Sequence, residues 1–530
     1  MMRLRLLPLA LGTVALGSAC QRLPAPPGDA PSLVVLLAVD QLRPNLLHDY
    51  DALYTAGLRR LLDEGFRFEN ATHDHGSTET APGHTTLATG VHPTRNGIVG
   101  NTWFERDGDG WRSVYSMADP DSPIVGHPEL PGRSAANMYR GGLPDWIVEQ
   151  DPDARVVSVS RKDRSAIGFA ARARGEVYWL ASEAGVFLTA EYYRRDYPEW
   201  IIDFNARVMP EIYADTLWES IIPPAALSLT RPDTSRWELD GVHTAFPHRP
   251  ADTGDDEDDA SRNRWRFEST PFPDRAVVAL AMEAVRALEL GQRPSVDYLG
   301  VSLSQTDIVG HDFGPRSREQ LDNLLRLDAE LGRLFAFFDE AVGRGRWVMA
   351  VSSDHGVPDI PEHLAEQGVP AERLTRNHRQ QLLDRIQEGL RAAGTGSPAE
   401  AVEQAVSTLP FVAGAYTFED VERASPPDSF AALIANSHSR ERAVDLAERW
   451  GVYVRYHPHV LSWINIATTH GSPYHYDRHV PLIFLGARVS PGVSTERVAT
   501  VDVAPTLASL AGVTPPADLD GRSLEELLAR

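Results

Sequence analysis

The densest group of reactive side chains lies in residues 77–85, which read Ser-Thr-Glu-Thr-Ala-Pro-Gly-His-Thr. Pro82 follows Thr80 by two positions, and a proline near a first helical turn predicts that Thr80 stands where backbone N–H groups converge on an anion. That position suits a hydroxyl that attacks a phosphate ester. A bare threonine hydroxyl is a weak nucleophile, and no Gly-x-Ser-x-Gly pattern of a Ser-His-Asp hydrolase accompanies it. We therefore expect a metal ion to activate Thr80.

Six acidic and imidazole side chains could supply that metal site, and most of them follow apolar runs of strand length. These residues are Asp40, Asp307, His311, Asp354, His355 and His470. Asp307 and His311 stand four residues apart, a spacing that lets both side chains meet at one ion if the turn is helical. In the His-rich C-terminal segment we select His470 as a ligand over His475 and His479. Three histidines near Thr80 are interpreted as loop residues or supports rather than ligands: His73, His75 and His84.

Apolar runs alternate with helical stretches along much of the chain. The runs typical of strands are Leu33–Val39, Arg155–Val159, Tyr298–Leu303, Trp347–Val351 and Val480–Leu485. Leucine and phenylalanine recur at three and four residues over 321–338, which predicts a helix, and 503–510 predicts a short one. The alternation favours an α/β fold with a doubly wound, mainly parallel central sheet flanked by helices. Such sheets bind ligands at the carboxyl ends of their strands, where the candidate residues stand.

The N-terminus has the pattern of an export signal. Residues 1–19 carry Arg3 and Arg5 near their start, continue as a mostly apolar stretch and end in small residues before Cys20, the only cysteine. The pattern resembles a bacterial lipoprotein signal with Cys20 lipid-modified after cleavage, and simple cleavage is the alternative. We expect an exported protein of a bacterium, either periplasmic or anchored to the outer membrane as a lipoprotein.

The remaining chain is interpreted as a tether and one large domain. Residues 20–31 are Pro-rich and form the tether, and residues 32–530 form the catalytic domain. Two long stretches, at about 176–275 and 357–465, interrupt the strand and helix alternation. We expect them to be insertions that roof the active site.

Composition restricts the partners and the metal ligands. The formal net charge of −23 repels a polyanionic backbone, so we expect no nucleic-acid partner. A single cysteine excludes an internal disulfide and Cys-rich metal sites, so Asp, Glu and His must hold any metal.

Lys162 is the only lysine and lies beside Arg164 at the end of a predicted strand. Because an ammonium can stand closer to a phosphate oxygen than a guanidinium can, we predict a chemical role for Lys162, complemented by a bidentate Arg164.

Together these motifs resemble the alkaline phosphatase superfamily, and most of all its threonine-nucleophile periplasmic phosphomonoesterases, the PafA type. The resemblance rests on Asp40, Thr80-Ala81-Pro82-Gly83-His84, Asn101-Thr102-Trp103-Phe104, Ser160-Arg161-Lys162-Asp163-Arg164, Asp307 to His311, Ser353-Asp354-His355-Gly356 and Thr469-His470-Gly471. These motifs extend from Asp40 nearly to the C-terminus, so the resemblance covers almost the whole predicted catalytic domain.

The resemblance implies two zinc ions per chain. One would be held by Asp307, His311 and His470. The other would be held by Asp40, Asp354 and His355, with Thr80 as a further ligand during attack. Two divalent ions can stabilise both the attacking and the leaving oxygen of an in-line displacement. The resemblance also implies that Asn101, Lys162 and Arg164 contact the non-bridging phosphate oxygens.

The function that follows is a two-zinc phosphate monoester hydrolase, an alkaline phosphatase that acts through a phosphothreonine and releases inorganic phosphate. Its partners would be small-molecule phosphate monoesters, and we expect a monomer with a possible lipid anchor at Cys20. A phosphodiesterase or nucleotide pyrophosphatase on the same metal core is the nearest alternative. A sulfatase fits less well because the oxidisable cysteine or serine is absent. A non-catalytic surface lipoprotein is the alternative of another class.

Overall fold

The computed structural model describes residues 30–181, 185–214, 217–239, 241–248, 267–423, 425–461 and 466–527. The predicted signal segment, Cys20 and most of the predicted tether lie outside these residues. Among the described helices, none combines the length and the apolar character needed to cross a bilayer.

The strands of the described chain are short, and several of them follow the apolar runs of the sequence. In chain order they are β1 Leu33–Val39, β2 Phe66–Thr72, β3 Thr102–Asp107, β4 Gly110–Tyr115, β5 Val156–Ser160, β6 Glu176–Ala181, β7 Val186–Leu188, β8 Asp297–Leu303, β9 Trp347–Ser352, β10 Glu372–Arg373, β11 Val412–Thr417, β12 Val452–Tyr456, β13 Val460–Leu461, β14 His479–Gly486 and β15 Gly492–Ala499.

The helices lie between these strands and in the insertions. In chain order they are α1 Pro44–Asp49, α2 Gly57–Glu64, α3 Thr80–Thr89, α4 Pro93–Asn96, α5 Leu143–Gln150, α6 Asp163–Ala170, α7 Glu199–Asp203, α8 Met209–Ala214, α9 Phe272–Ala287, α10 Gln305–Phe313, α11 Arg318–Phe338, α12 Pro361–Glu366, α13 Arg376–Ala392, α14 Pro398–Val406, α15 Phe418–Val421, α16 Ser429–Ala435, α17 His475–Arg478 and α18 Val503–Ala511.

A nine-stranded sheet forms the centre, in the order β15-β2-β14-β9-β1-β8-β5-β6-β7. β1 pairs in parallel with both β8 and β9, and the parallel pairing continues from β8 through β5 to β6. Within this sheet, antiparallel pairing involves β14 and the short edge strand β7. The predicted mainly parallel sheet is therefore confirmed, and it brings the carboxyl ends of four central strands to one edge.

Helices cover both faces of the sheet, as its central strand shows. Alternate residues of β1 enter two separate cores, one containing Leu33, Val35, Leu37 and Val39 and the other Val34, Leu36 and Ala38. The first core includes residues of α2, α9 and α11, and the second includes residues of α5, α6 and α18. Each fully buried valine or leucine contributes about 1.5–3 kcal/mol. The doubly wound arrangement is confirmed.

The two predicted insertions differ in how they relate to the sheet. The stretch 176–275 begins with β6 and β7, which belong to the central sheet, because the apolar residues of β6 pair in parallel with β5. The three-residue β7 is a strand because it pairs with β6. No local sequence pattern predicts this pairing. The stretch 357–465 contains α12–α16 and β10–β13 and has small cores of its own.

Candidate active site

One group of metal-ligating side chains forms around Asp307, in the first turn of α10. The helix places His311 one turn later, with its Nε2 3.0 Å from Asp307 Oδ1. His470 approaches from the C-terminal segment, with its Nε2 3.7 Å from the same oxygen. The ligand atoms of these three residues lie within 4.8 Å of one another. The i, i+4 spacing in the sequence thus corresponds to a real convergence.

A second group forms at the ends of β1 and β9. Asp40 directly follows β1, and His355 Nε2 lies 3.4 Å from Asp40 Oδ1 and 3.5 Å from Asp354 Oδ2. Asp307 also lies within ligand distance of Asp40 and His355, so this aspartate stands between the two groups. The rings of His355 and His470 stack with centroids 3.4 Å apart. We call the six residues of both groups the ligand cluster: Asp40, Asp307, His311, Asp354, His355 and His470.

The three histidines of the ligand cluster share one hydrogen-bond pattern. Each Nδ1 pairs with a backbone carbonyl oxygen: His311 with Thr468 at 2.8 Å, His355 with Gly356 at 3.0 Å, and His470 with Thr78 at 2.7 Å. When these rings are neutral, as metal ligands must be, Nδ1 donates and the lone pair of Nε2 faces the carboxylates. Lone pairs facing carboxylate oxygens repel one another unless a cation lies between them. This arrangement is typical of metal-ligating histidines.

Unpaired acceptor atoms give an independent test of the fit to a metal. Asp40 Oδ1 and His355 Nε2 are buried and have no hydrogen-bond partner among the described residues, and the polar contact of Asp354 Oδ2 with a group outside the ligand cluster is with His84 Nδ1 at 3.2 Å. Leaving a buried polar group unsatisfied costs about 1–3 kcal/mol, and more for a charged group. A cation would satisfy both unpaired atoms, and imidazole nitrogens with carboxylate oxygens form a donor set that suits divalent transition metals.

The electrostatics of the ligand cluster also favour a cation. Burial, together with the neighbouring carboxylates of Asp307 and Asp354, holds the pKa of Asp40 well above its usual range. Burial and the adjacent rings of His355 and His311 hold the pKa of His470 well below its usual range. A divalent ion would offset the repulsion among the carboxylates, and the neutral ring of His470 is the form that ligates a metal.

Lys162 lies between the two halves of the ligand cluster. Its Nζ donates to Asp40 Oδ2 and, at 2.6 Å, to Asp307 Oδ2. The lysine occupies the position before α6, two residues beyond β5, and its side chain is almost fully buried. The only lysine of the chain therefore stands where both predicted metal groups meet.

Thr80 begins α3 and is buried beside Asp354. The helix starts after Glu79 and contains Pro82 in its first turn, as the sequence predicts. A Cβ at Gly83 would lie 2.3 Å from the backbone oxygen of Asp354, so only glycine allows this close approach. The start of α3 is thereby held against the ligand cluster.

Hydrogen bonds fix both the backbone and the side chain of Asn101. Its backbone N–H donates to Glu79 Oε2 at 2.6 Å, and its side-chain Oδ1 accepts the N–H of Ala81 at 2.8 Å. Because Oδ1 is occupied, the Nδ2 group remains as the free donor. This geometry agrees with a donor role for Asn101, which stays a prediction.

Arg164 lies in the first turn of α6, close to Asp40 and Glu79. Its buried Nε has no hydrogen-bond partner among the described residues. Its backbone N–H donates to Asp163 Oδ1 at 2.7 Å, and the same oxygen accepts the Tyr115 hydroxyl at 2.5 Å. We call the three predicted phosphate ligands the donor cluster: Asn101, Lys162 and Arg164.

Four residues that support the site carried no role in the sequence interpretation. Gln41 adopts a positive φ of 65° and donates from Nε2 to Asp307 Oδ1 at 2.6 Å, and its backbone N–H donates to Asp354 Oδ1 at 3.2 Å. Adjacency to Asp40 was the only signal for Gln41. The others are Glu79, which holds Asn101, Tyr115, whose hydroxyl bonds Asp163 beside Arg164, and Asp274, which accepts the backbone N–H groups of Ser304 and Gln305 at the start of α10.

The histidines near Thr80 remain outside the ligand cluster. His84 Nδ1 bonds the Thr80 carbonyl oxygen at 2.9 Å, and its Nε2 bonds Ser302 Oγ at 2.8 Å. Both ring nitrogens are therefore committed. His73 bonds the Ser353 carbonyl oxygen at 2.9 Å, and His75 in turn bonds His73 at 3.2 Å. These contacts make them supports of the strand ends rather than ligands.

A cavity of about 300 Å³ adjoins the ligand cluster on the side of His470. Glu79 also lines it, so the cavity reaches the residue that precedes Thr80. Much of the remaining lining belongs to the second predicted insertion and the segment after it, including Tyr453, Tyr456 and Tyr474. Part of that insertion thus forms a wall beside the site.

Comparison with known proteins agrees with this geometry. The family model described as type I phosphodiesterase / nucleotide pyrophosphatase matches residues 34–459. Alkaline phosphatase PhoV of Synechococcus elongatus is 29% identical over 526 residues, which cover 94% of this chain and 93% of the relative. Alkaline phosphatase PafA of Elizabethkingia meningoseptica is 27% identical over 530 residues, covering 94% and 95%.

A solved structure extends the similarity to the whole fold. The crystal structure of wild-type alkaline phosphatase PafA superposes with a TM-score of 0.85 at 26% identity, covering 96% of this chain and 100% of that chain. The resemblance inferred from the motifs is therefore confirmed. The chain belongs to the type I phosphodiesterase / nucleotide pyrophosphatase family, within the alkaline phosphatase superfamily.

Proposed function

We propose that this chain is a phosphate monoester hydrolase of the alkaline phosphatase type, with Thr80 as the nucleophile. The observation that carries the proposal is the placement of Thr80 at the start of α3, held against Asp354 by Gly83, with the ligand cluster and the donor cluster beside it. The names of the relatives support the same reaction class, since PhoV and PafA are both alkaline phosphatases.

The residues that would hold two zinc ions are the two halves of the ligand cluster. Asp307, His311 and His470 form one half, and Asp40, Asp354 and His355 form the other. With zinc bound there, the pKa of the Thr80 hydroxyl falls and charge on the leaving oxygen is stabilised. The paired Nδ1 contacts of the histidines keep their Nε2 atoms directed at this centre.

In the proposed reaction, Thr80 Oγ attacks the phosphorus atom and the alcohol departs on the opposite side. The product is a phosphothreonine, which water then hydrolyses to inorganic phosphate and free Thr80. The N–H groups of Ala81 and Gly83 are already bonded and Pro82 has none, so the Nδ2 of Asn101 is the group beside the start of α3 that we expect to bind a phosphate oxygen.

The donor cluster gives the reason for choosing monoesters. A monoester presents three non-bridging oxygens and two negative charges, whereas a diester replaces one of those oxygens with an ester group. Lys162 and Arg164 bring two positive charges to one buried pocket, with Arg164 Nε still unpaired. Each charge-assisted hydrogen bond contributes about 1.5–3 kcal/mol when it is made in the transition state.

Phosphodiester or nucleotide pyrophosphate hydrolysis is the second candidate. It is favoured by the family match, whose description names those activities. Since both reactions use the same ligand cluster, the donor cluster decides between them. The convergence of all six ligand residues argues against a non-catalytic surface protein.

The test is hydrolysis of an aryl phosphate monoester and the matching diester by metal-loaded protein, beside the Thr80→Ala variant. We expect kcat/KM for the monoester to exceed that for the diester and to collapse in the variant. A diester preference in the wild type would move the chain to the second candidate. Hydrolysis of the monoester by Thr80→Ala at the wild-type rate would remove Thr80 from the mechanism.

We also propose that the chain is exported and acts as a monomer on small phosphate monoesters, with a lipid anchor at Cys20. The signal-like residues 1–19 and the position of Cys20 support this placement. Expression with a radiolabelled fatty acid tests the anchor. Label should enter the wild-type chain and be absent from Cys20→Ser, whereas equal labelling of both would contradict it.

A further inference from the structure

Gln41 lies two residues beyond β1 and bonds a ligand from each half of the ligand cluster. Its side-chain Nε2 donates to Asp307 Oδ1 at 2.6 Å, and its backbone N–H donates to Asp354 Oδ1 at 3.2 Å. Asp307 Oδ1 is also the oxygen that faces the Nε2 atoms of His311 and His470, at 3.0 and 3.7 Å. The amide of Gln41 therefore contacts the atom around which one metal group converges.

The two carboxylate oxygens of Asp307 have different donors. A carboxylate only accepts, so the amide of Gln41 must turn its Nε2 rather than its Oε1 toward Asp307. The other oxygen, Oδ2, accepts Lys162 Nζ at 2.6 Å. With one donor on each oxygen, the plane of the carboxylate is fixed. Since a carboxylate oxygen has two lone pairs, Oδ1 keeps one of them for a cation.

The amide of Gln41 packs against α10, the helix that carries Asp307. Gly310 lies three residues after Asp307, and a Cβ at Gly310 would stand 1.9 Å from Gln41 Oε1. Any larger residue at this position would therefore push the amide away. Because Gln41 is also almost fully buried, the helix and the amide are held in one arrangement.

Two features of Gln41 are unfavourable for folding. Its φ of 65° lies in the left-handed region, which residues other than glycine and asparagine rarely adopt. Its Oε1 is buried and has no hydrogen-bond partner among the described residues. Strained backbone of this kind concentrates at functional sites, where the surrounding structure holds it in place. A side chain that served packing alone would need neither feature.

We propose that Gln41 is a positioning residue that orients the Asp307 carboxylate toward His311 and His470, and thereby sets how tightly this half of the ligand cluster retains its metal ion. The inference rests on the metal site of the proposed function and deepens it. Replacing the side chain removes the bond to Asp307, whereas the backbone bond to Asp354 remains. One half of the ligand cluster should therefore lose affinity for its ion, and the other half should keep it.

The first experiment measures zinc retention in Gln41→Met, which keeps the length of the side chain and removes its donor. Full-length protein is loaded with zinc and equilibrated against increasing concentrations of a competing chelator, and elemental analysis follows the metal content. We expect one zinc equivalent to bind about 10–100-fold more weakly than in the wild type and the other to stay within about threefold.

The matched control for this titration is Gln387→Met, a change at an exposed glutamine of α13. It should release both zinc equivalents as the wild type does. Equal weakening of both equivalents in Gln41→Met would indicate a general loss of structure, and no weakening would show that the amide has no part in metal retention. Either result would overturn the proposal.

A second variant, Gln41→Asn, separates positioning from a structural role. Asparagine accepts a positive φ more readily than glutamine does, and its side chain is shorter by one methylene, which withdraws the amide from Asp307. We expect Gln41→Asn to lose the same zinc equivalent as Gln41→Met. Wild-type retention by Gln41→Asn would contradict the inference. So would zinc losses that follow the melting temperature of the metal-free variants rather than the loss of the donor.

Zinc retention also distinguishes a failure of this inference from a failure of the proposed function, because the measurement needs no substrate. Wild-type protein that retains zinc but hydrolyses no monoester would refute the function, and the variants would still decide the role of Gln41. Wild-type protein that hydrolyses the monoester, beside a Gln41→Met variant that retains both ions equally tightly, would refute this inference alone. Wild-type protein that retains no zinc would refute both.

Discussion

The ligand cluster and the donor cluster lie side by side, and they lack opposite kinds of hydrogen-bond partner. In the ligand cluster, buried acceptors such as Asp40 Oδ1 and His355 Nε2 have no donor among the described residues. In the donor cluster, the buried Nε of Arg164 has no acceptor. One region therefore requires cations and the other an anion. A pocket that contains both unpaired acceptors and an unpaired donor suits a metal-assisted reaction of a phosphate ester.

The two clusters are also built differently. The ligand cluster is centred on the strand ends, with Asp40 directly after the central strand and Asp307 in the first turn of α10. The donor cluster comes from the start of α6 and from the base of the β3–β4 hairpin, where Asn101 lies. We therefore expect changes in the ligand cluster to abolish every activity, and changes in the donor cluster to alter the choice of substrate.

The largest effect should come from Asp307→Asn, because Asp307 lies within ligand distance of both metal groups. We expect the metal content per chain to fall and kcat/KM to drop by at least about 10³ for monoester and diester alike. Elemental analysis and parallel kinetics measure both. Asp384→Asn, an exposed acid on α13, is the matched control. Full metal content with unchanged rates in Asp307→Asn would refute its bridging position.

The next effect should come from Lys162→Ala and should separate the two substrates. Because Lys162 is the only lysine and contacts both Asp40 and Asp307, no other ammonium can replace it. We expect kcat/KM for the monoester to fall about 10²–10³-fold and for the diester far less. Lys162→Arg should remain impaired, because a planar guanidinium does not fit the same point. Equal losses for both substrates would remove the distinction between the clusters.

A smaller effect should follow from Asn101→Ala. Its Nδ2 is a neutral donor, so the expected loss in monoester kcat/KM is roughly 10-fold to 100-fold. The variant also frees the N–H of Ala81, which bonds Asn101 Oδ1. Asn101→Asp keeps that acceptor but loses the donor, and it should be at least as impaired. If Asn101→Asp retained full activity, the amide would have no role as a donor.

The smallest effect concerns stability rather than catalysis. Burial raises the pKa of Asp274 to about 7. Between about pH 4 and pH 7 the folded protein holds a proton that the unfolded chain has released, so this group lowers the free energy of unfolding as pH rises through that window. Asp274→Asn should flatten the decline, as measured by denaturant unfolding at several pH values. Parallel slopes for variant and wild type would contradict this.

Much of the site could be predicted from sequence because its ligands follow recognisable strands. β1 coincides with the predicted run, and Asp307 and His311 reveal their helix by spacing alone. The supporting residues could not be found in this way. Tyr115 bonds Asp163, and Glu79 accepts the backbone N–H of Asn101, between residues far apart in the chain, so neither contact leaves a local pattern. The edge strand β7 was missed for the same reason, since pairing alone defines it.

The most direct test of the central claim is to trap the phosphorylated enzyme. Metal-loaded protein would be mixed with an aryl phosphate monoester, quenched in acid within milliseconds to seconds, and digested for peptide mass spectrometry. The account predicts phosphate on Thr80 in the wild type and none in Thr80→Ala, together with loss of turnover in that variant. Phosphate found on another residue, or full turnover by Thr80→Ala, would contradict it.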